Sequence, residues 1–272
     1  MRALRGWQYD GAPMQLHPGD LGWHWRFGAV ATAAAVRTWS RGGRILATGL
    51  LDGPGLLRVA IAPEAQHDEQ LARQMLSDVS DPERDVLPAG EVSIEVCAGG
   101  ALRGLLLDVG WDAGEPRTPL SRDLAVPVES FGVRIEVIGG EQAQVRAAVQ
   151  RAAFDRSTFT HERWHAMAAG PVYAEARCLV AYDDRANAVA TATVWSAGPG
   201  RPGLLEPMGV HREHRGRGYG RAITLAAAAR LLALGSSSAI VCTGSANIAA
   251  VATYRSAGFE ELPQVPDLHR GG

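Results

Sequence analysis

From Val133 onward the chain alternates between two hydrophobic periods. VRIEVI carries the period-two pattern of a strand, and EQAQVRAAVQRAAF then repeats apolar residues at helical spacing. A polar turn, DRSTFT, leads to a short helix, HERWHAMAAG, that Gly170-Pro171 should stop. RCLVAYDD and AVATATVW read as strands joined by a turn at Asp183 to Ala186, and after the loop SAGPGRPG a third strand follows, LLEPMGV. HREHRGRGYG then opens the helix RAITLAAAARLLAL, SSSAIVCT is a strand, and NIAAVATYRSA is a helix that ends before Gly258-Phe259. The stretch GRILATGLLDGPGLLRVAIAPEAQHDEQLARQMLSDV, followed by EVSIEVCAG and ALRGLLLDVGW, repeats the same order earlier in the chain. Hairpins followed by strand–helix units describe a mixed α/β sheet, built twice.

Composition narrows the chemistry. With 272 residues the chain accommodates two domains of about 130 residues each. All 27 basic residues are arginine, so Schiff-base chemistry and a Walker-A phosphate site, which both need lysine, are excluded. A net charge of -2 gives no whole-molecule attraction for nucleic acid. Cys97, Cys178 and Cys242 are too few for a disulfide framework and form no CxxC pair. The N-terminus lacks the apolar core of a signal peptide, and Arg230 interrupts even the Ala/Leu-rich stretch. A cytoplasmic protein without membrane or nucleic-acid partners is expected.

The strongest chemical signal is Arg215-Gly216-Arg217-Gly218-Tyr219-Gly220, set between a strand ending at Val210 and a long helix. Glycines there let backbone approach a ligand, and free N–H groups at the helix start suit a pyrophosphate. Arg215, Arg217 and Arg221 bring further positive charge. A Rossmann site fits poorly, because the glycine spacing differs and no acidic residue ends the following strand. A second signal is Asn247-x-x-Ala250-x-x-x-Tyr254-x-x-x-Gly258-Phe259, with Asn247 and Tyr254 seven positions, or two helical turns, apart.

Together these motifs resemble the GNAT acetyltransferase superfamily, closely from Leu204 to Phe259 and more loosely from Val133 to Trp195. The resemblance implies a mostly antiparallel sheet with flanking helices and one parallel strand pair that splays apart to admit acetyl-CoA. The pantetheine arm would pair with backbone at Met208 and Val210. The pyrophosphate would sit on the amides from Arg215 through Gly216, Arg217, Gly218 and Tyr219 to Gly220, with Arg221 beside it. Asn247 would hydrogen-bond the arm, and Tyr254 would protonate the leaving thiolate.

An amine acceptor needs a base, since ammonium cannot attack a thioester. Glu206, an isolated carboxylate in an apolar strand, is the candidate; a structural ion pair with an arginine is its bland alternative. For Tyr254 that alternative is a core tyrosine. His161-Glu162-Arg163-Trp164-His165 matches the HExxH zinc pattern, but the helix is brief and no third ligand follows, so no metal is expected. A short helix capped by Thr160, near the acceptor site, is the expected reading. Asp20 reads as the N-cap of a helix carrying Trp23, Trp25 and Phe27, which are expected in core or domain interface.

In the first repeat Gln66 to Leu71 stands where the phosphate loop should be. It has lost every glycine and carries Asp68 and Glu69; Gly99 and Leu106 replace the Asn and Tyr. The chain thus resembles tandem GNAT proteins, with a degenerate domain over 1–128 and an acetyl-CoA-binding domain over 129–272. The C-terminal tail, interrupted by proline, is expected to give an abbreviated final hairpin. The implied activity is acyl transfer from acetyl-CoA to a small-molecule amine; the alternative is a CoA-binding or structural module without turnover.

Overall fold

The computed structural model describes residues 1–130 and 132–271. The first half contains α1 (Arg2–Gly6), α2 (Pro18–His24), α3 (Ala29–Ala35), β1 (Val36–Arg41), β2 (Arg44–Leu51), β3 (Leu56–Ile61), α4 (Glu69–Ser80), β4 (Val92–Glu95), α5 (Ala101–Asp108) and β5 (Asp112–Asp123). The second contains β6 (Arg134–Val137), α6 (Ala143–Ala153), α7 (His161–Ala168), β7 (Ala176–Tyr182), β8 (Ala188–Ser196), β9 (Gly203–Val210), α8 (Tyr219–Ala233), β10 (Ser238–Gly244), α9 (Ile248–Ser256), β11 (Glu260–Glu261) and β12 (Val265–Arg270). No helix among the described residues is long and apolar enough to cross a membrane.

All these strands join one sheet in the order β1-β2-β3-β4-β12-β5-β10-β9-β8-β7-β6, with β11 beside β5. Most pairs are antiparallel. The parallel ones are β3–β4 and β9–β10, one in each half. Along β9 and β10 the register runs only through Gly203↔Ala239 and Leu204↔Ile240, after which the strands diverge into a wedge. The expected mixed sheet with a splayed parallel pair is therefore present.

The halves exchange their last strands. β5, from the first half, pairs with β10 over seven positions from Ser238↔Asp123 to Gly244↔Arg117. β12, from the chain's end, pairs with β4 and β5. The tail expected to give an abbreviated hairpin instead crosses over, placing Leu268 fully buried in the first half's core. Its prolines are tolerated because the ladder is irregular there, with a register shift between Pro266 and Leu268.

Two apolar layers sandwich the second half's sheet. Ile223, Leu225, Ala227 and Leu231 of α8, with Tyr254 and Phe259, cover one face. Ala143 and Ala147 of α6, Trp164 and Met167 of α7, and Trp195 cover the other. α2 joins that second layer: Gly19 and Gly22 lie so close to the Trp195 side chain that a Cβ on either would sit under 3 Å from it. The N-cap of α2 is His17, not Asp20. His17 Nδ1 accepts from Gly19 N–H at 2.9 Å, and Asp20, three residues on, accepts from His17 N–H at 2.7 Å.

Candidate active site

β9 is distorted where the wedge opens. Its register against β8 shifts between Ala192 and Val194, beside Glu206-Pro207, and Trp195 Nε1 donates to the Glu206 carbonyl at 2.7 Å. Beyond the shift, His211 N–H donates to Val189 C=O at 2.8 Å. Peptide groups alternate in direction along an antiparallel strand, so those of Gly209 face β8 and those of Met208 and Val210 face the wedge. An extended ligand can pair with the latter as an added strand would.

The glycine loop closes the wedge's end. Gly216 and Gly218 have φ of 75° and 83°, left-handed values that favour glycine, and Gly218 is the N-cap of α8. The first intrahelical bond runs from Ala222 N–H to Gly218 C=O, so the N–H groups of Tyr219, Gly220 and Arg221 lack helical partners. Gly220 is needed for packing: a Cβ there would lie 3.0 Å from Thr253 Cγ2. The three arginines, Arg215, Arg217 and Arg221, are all exposed. Arg215 donates to Ala153 C=O at 2.8 Å and Arg221 to Ser256 C=O at 2.7 Å. Both therefore hold helix C-termini while their charge stays beside the loop. Asn247 is the N-cap of α9, its Oδ1 accepting from Ala250 N–H at 3.2 Å, which leaves its amide NH2 for other partners.

Glu206 sits in an ion network contributed mostly by the first half. Its Oε1 lies 3.9 Å from Arg58 Nη2 of β3. Arg58 also lies 3.0 Å from Asp52, 3.3 Å from Asp20 and 3.7 Å from Glu95. Arg117 of β5 adds contacts to Glu95 at 3.0 Å and Asp267 at 3.5 Å. In sheet order β3 and β9 are five steps apart, roughly 24 Å if the sheet were flat. Their contact shows that the sheet curls until the two wedges face each other. Burial raises the Glu206 carboxyl above its ordinary range; Arg58 opposes the rise, and Glu95 and Asp52 add to it. Tyr254 is buried against Phe259, and burial, with the Glu206 charge adding to it, raises its hydroxyl.

The first-half residues of this network escaped sequence reasoning. The signal was there: Leu56-Leu57-Arg58, like Leu204-Leu205-Glu206, puts one charge after two leucines in an apolar strand.

The first half's own wedge is filled from within. Leu16 N–H donates to Val59 C=O at 3.2 Å, and Ile61 N–H donates to Gln15 Oε1 at 3.3 Å. By count Val59 and Ile61 correspond to Met208 and Val210, so residues 15–16 lie where a pantetheine arm would pair. At the lost phosphate loop, the Asp68 carboxylate accepts from Leu71 N–H at 2.9 Å and meets Arg41 at 2.7 Å. That hydrogen bond to Arg41 leads in lowering the Asp68 carboxyl to about 2.

A second opening flanks β9 on the α6–α7 face, a cleft of about 630 Å³ lined by Trp23, Phe27, Phe154, Phe159, Arg26 and Arg163 among others. Gly209 seats this wall on β9, since a Cβ there would lie 2.6 Å from Ala153 and 2.8 Å from the Phe154 ring. Trp23 stacks on Phe159 at 5.1 Å, so two of the three aromatics expected in core or interface border this cleft. Trp25 instead packs on Gly170. Thr160 caps α7 as expected. On that helix His161 pairs with Glu162 at 3.0 Å, and the His161 and His165 rings are 6.5 Å apart. No group of three or more metal-ligating side chains occurs among the described residues.

Residues 145–259 match the model of the Acetyltransferase (GNAT) family. Comparison with curated protein sequences gives no match. Among solved structures the chain resembles a tandem GNAT protein from the clavulanic acid biosynthesis pathway, with 16% identity over 99% of this chain and 92% of that one, TM-score 0.62. It also resembles a GNAT-family acetyltransferase from Colwellia psychrerythraea (17% identity, 98% and 93% covered, TM-score 0.61). A GCN5-related N-acetyltransferase from Sphaerobacter thermophilus is similar too (17%, 96% and 95%, TM-score 0.59). At these identities the likeness is one of fold. The family match, the splayed strand pair and the twice-built sheet agree: residues 145–259 match the GNAT acetyltransferase family, and the whole chain has the fold of the tandem GNAT protein it resembles.

Proposed function

We propose that the protein transfers an acetyl group from acetyl-CoA to a small-molecule amine by direct, general-base-assisted attack. The wedge between β9 and β10 carries this reading, with the Met208 and Val210 peptide groups turned into it and the left-handed Gly216–Gly218 loop at its end. In this reading residues 129–272 hold acetyl-CoA. The pyrophosphate rests on the amides between Arg215 and Gly220, Arg217 and the flanking Arg215 and Arg221 supply charge, and the Asn247 amide meets the arm.

Glu206 takes a proton from the acceptor ammonium, directly or through water, and the free amine attacks the thioester carbonyl. The tetrahedral intermediate loses its remaining nitrogen proton to solvent and expels the CoA thiolate, which Tyr254 protonates; solvent then returns a proton to the Tyr254 oxygen. The raised proton affinity of Glu206 moves in the direction a general base needs, and the raised Tyr254 hydroxyl stays protonated, the form a donor needs, though burial makes it a weaker acid. Residues 1–128 bind no CoA in this scheme. They fill their own wedge and lend Arg58 to the working one.

Acetyl-CoA consumption followed by thiol release, across a panel of amines, amino acids and aminoglycosides, tests the proposal. Turnover with at least one amine, and its loss in Glu206→Gln with CoA affinity retained, is the expected outcome. CoA binding without turnover on any amine would favour a non-catalytic CoA-binding module, and absence of CoA binding would end the assignment.

A further inference from the structure

The cleft beside β9 has a charge pattern that the transfer reaction itself does not require. Arg26 lies between the Trp23 and Phe27 rings, 4.3 Å and 4.2 Å from their centroids, with its side chain only 14% exposed. Its nearest carboxylate, Asp52, is 3.9 Å away and is shared with Arg58. Arg163 also lies over Phe27, 5.2 Å from that ring, and its side-chain hydrogen bonds go to Thr158, not to a carboxylate.

Beneath the cleft lies Arg146, wholly buried. Its partners are the neutral Gln150 Oε1 at 2.7 Å and Thr193 Oγ1 at 3.2 Å, with the Phe159 ring 5.3 Å away, and its Nε has no hydrogen-bond partner. No carboxylate among the described residues pairs with it. A buried guanidinium without a counter-charge is costly; Arg146 does not itself line the cleft, but its neighbours Gln150 and Phe159 do, so an anion seated there would offset part of that cost from one side chain away. Asp155, the carboxylate on the cleft wall, is paired outward with Arg212 at 3.3 Å, and the neighbouring Arg156 is exposed.

At the other end the polarity reverses. Asp20, Asp52, Glu95 and Glu206 gather around Arg58, and with only Arg117 on Glu95 and Arg26 on Asp52 beside it the carboxylates outnumber the cations, which suits an incoming ammonium. We infer that the acceptor is an amine that also carries an acidic group, its ammonium directed to Glu206 and its carboxylate or phosphate held in the aromatic cleft by Arg26 and Arg163 above the buried Arg146. This rests on the acyl-transfer reading and names its substrate class. The aromatic walls favour a flat or apolar body between the two ends.

The test compares matched amines: phenylalanine against phenethylamine, 4-aminobutanoate against 4-aminobutanamide, and phosphoethanolamine against ethanolamine. Each is assayed for thiol release with acetyl-CoA and for binding by calorimetry to the CoA-bound protein. A charge-assisted hydrogen bond lost from a dry site corresponds to roughly 10- to 100-fold. Acid-bearing amines should exceed their neutral counterparts by about that factor in kcat/KM or affinity. In Arg26→Gln the ratio should fall toward one, and Arg26→Lys should restore part of it. Whether the carboxylate or the phosphate pair shows the larger ratio identifies the acidic group. Equal values within each pair, or a preference for the neutral amine, would overturn the inference, as would an undiminished ratio in Arg26→Gln. Turnover without such a preference leaves acyl transfer standing. Binding preference without turnover would instead sink the catalytic reading and keep the charge assignment, because calorimetry reads the cleft independently of the chemistry.

Discussion

Glu206 and Arg58 are best understood as one unit. Glu206 lacks a close partner of its own, and Arg58, 3.9 Å away, is what restrains its proton affinity. As a base it must be ionised, so kcat/KM should fall as pH drops through its raised pKa, on a limb above the ordinary carboxylate range. Glu206→Gln should lower turnover by roughly 10²–10⁴-fold, the usual worth of general-base catalysis. Arg58→Gln should move the acidic limb to higher pH, since the stabilising cation is gone while Glu95 and Asp52 remain. It should also cost about 3–5 kcal/mol of stability by leaving buried carboxylates unpaired. Arg58→Lys should recover much of both. A limb at the wild-type pH in Arg58→Gln would reduce Arg58 to a purely structural ion.

At the scale of elements, the loop into α8 and the cap of α2 each concentrate a function in a few backbone positions. Space around Gly218 is open: a Cβ there meets nothing within 4 Å. The obstacle to a side chain is its φ of 83°, which costs a β-branched residue about 1–3 kcal/mol or reshapes the loop. Gly218→Val should therefore abolish CoA binding in a folded protein, and unchanged CoA affinity by titration would remove the loop from the site.

The α2 cap makes a different prediction. His17 Nδ1 accepts from Gly19, so the ring proton sits on Nε2 and donates to Pro202 C=O at 3.1 Å, tying α2 to the entry of β9. Burial, the largest cause, lowers the His17 pKa from 6.5 to about 4. The unfolded chain takes up this proton near pH 6.5 and the folded one only near pH 4, so this contribution to stability is intact above 6.5 and is lost as pH falls. The full shift is worth roughly 3 kcal/mol. Urea midpoints measured from pH 7.5 to 4.5 should fall less steeply in His17→Asn, which keeps a capping oxygen without a titrating ring. Equal slopes would show that other groups govern acid stability.

Across the whole molecule, the exchange of β5 and β12 makes the two halves thermodynamically one. Residues 129–272 alone would expose the edge of β10 that β5 covers, and residues 1–128 alone would expose the edge of β4 that β12 covers. Neither fragment should melt cooperatively, whereas the full chain should show one transition. Two resolved transitions would contradict this. The same architecture bears on stoichiometry, because the first half's wedge already holds residues 15–16 and its lost phosphate loop holds the Asp68 carboxylate. Calorimetric titration should give one CoA per chain, unchanged by Asp68→Ala; a stoichiometry of two would show that the first wedge opens.

What the sequence by itself determined is what depends on neighbours along the chain. The alternation in LLEPMGV and SSSAIVCT, the helical spacing after Gly220, the left-handed glycines at 216 and 218 and the Thr160 cap are set by local periodicity and backbone sterics, and all are present in the folded chain. Even the degenerate first repeat was legible, since an apolar pattern survives where glycines and polar groups are lost. Only the tertiary structure decided which strand lies beside which. Edge strands of similar pattern are interchangeable until loops and packing choose among them, so neither the crossing of β12 into the first half nor the use of residues 15–16 as a plug can be read from spacing. The meeting of Arg58 with Glu206 belongs to the same class. It joins residues 148 positions apart in the chain, and a curl of the whole sheet brings them together.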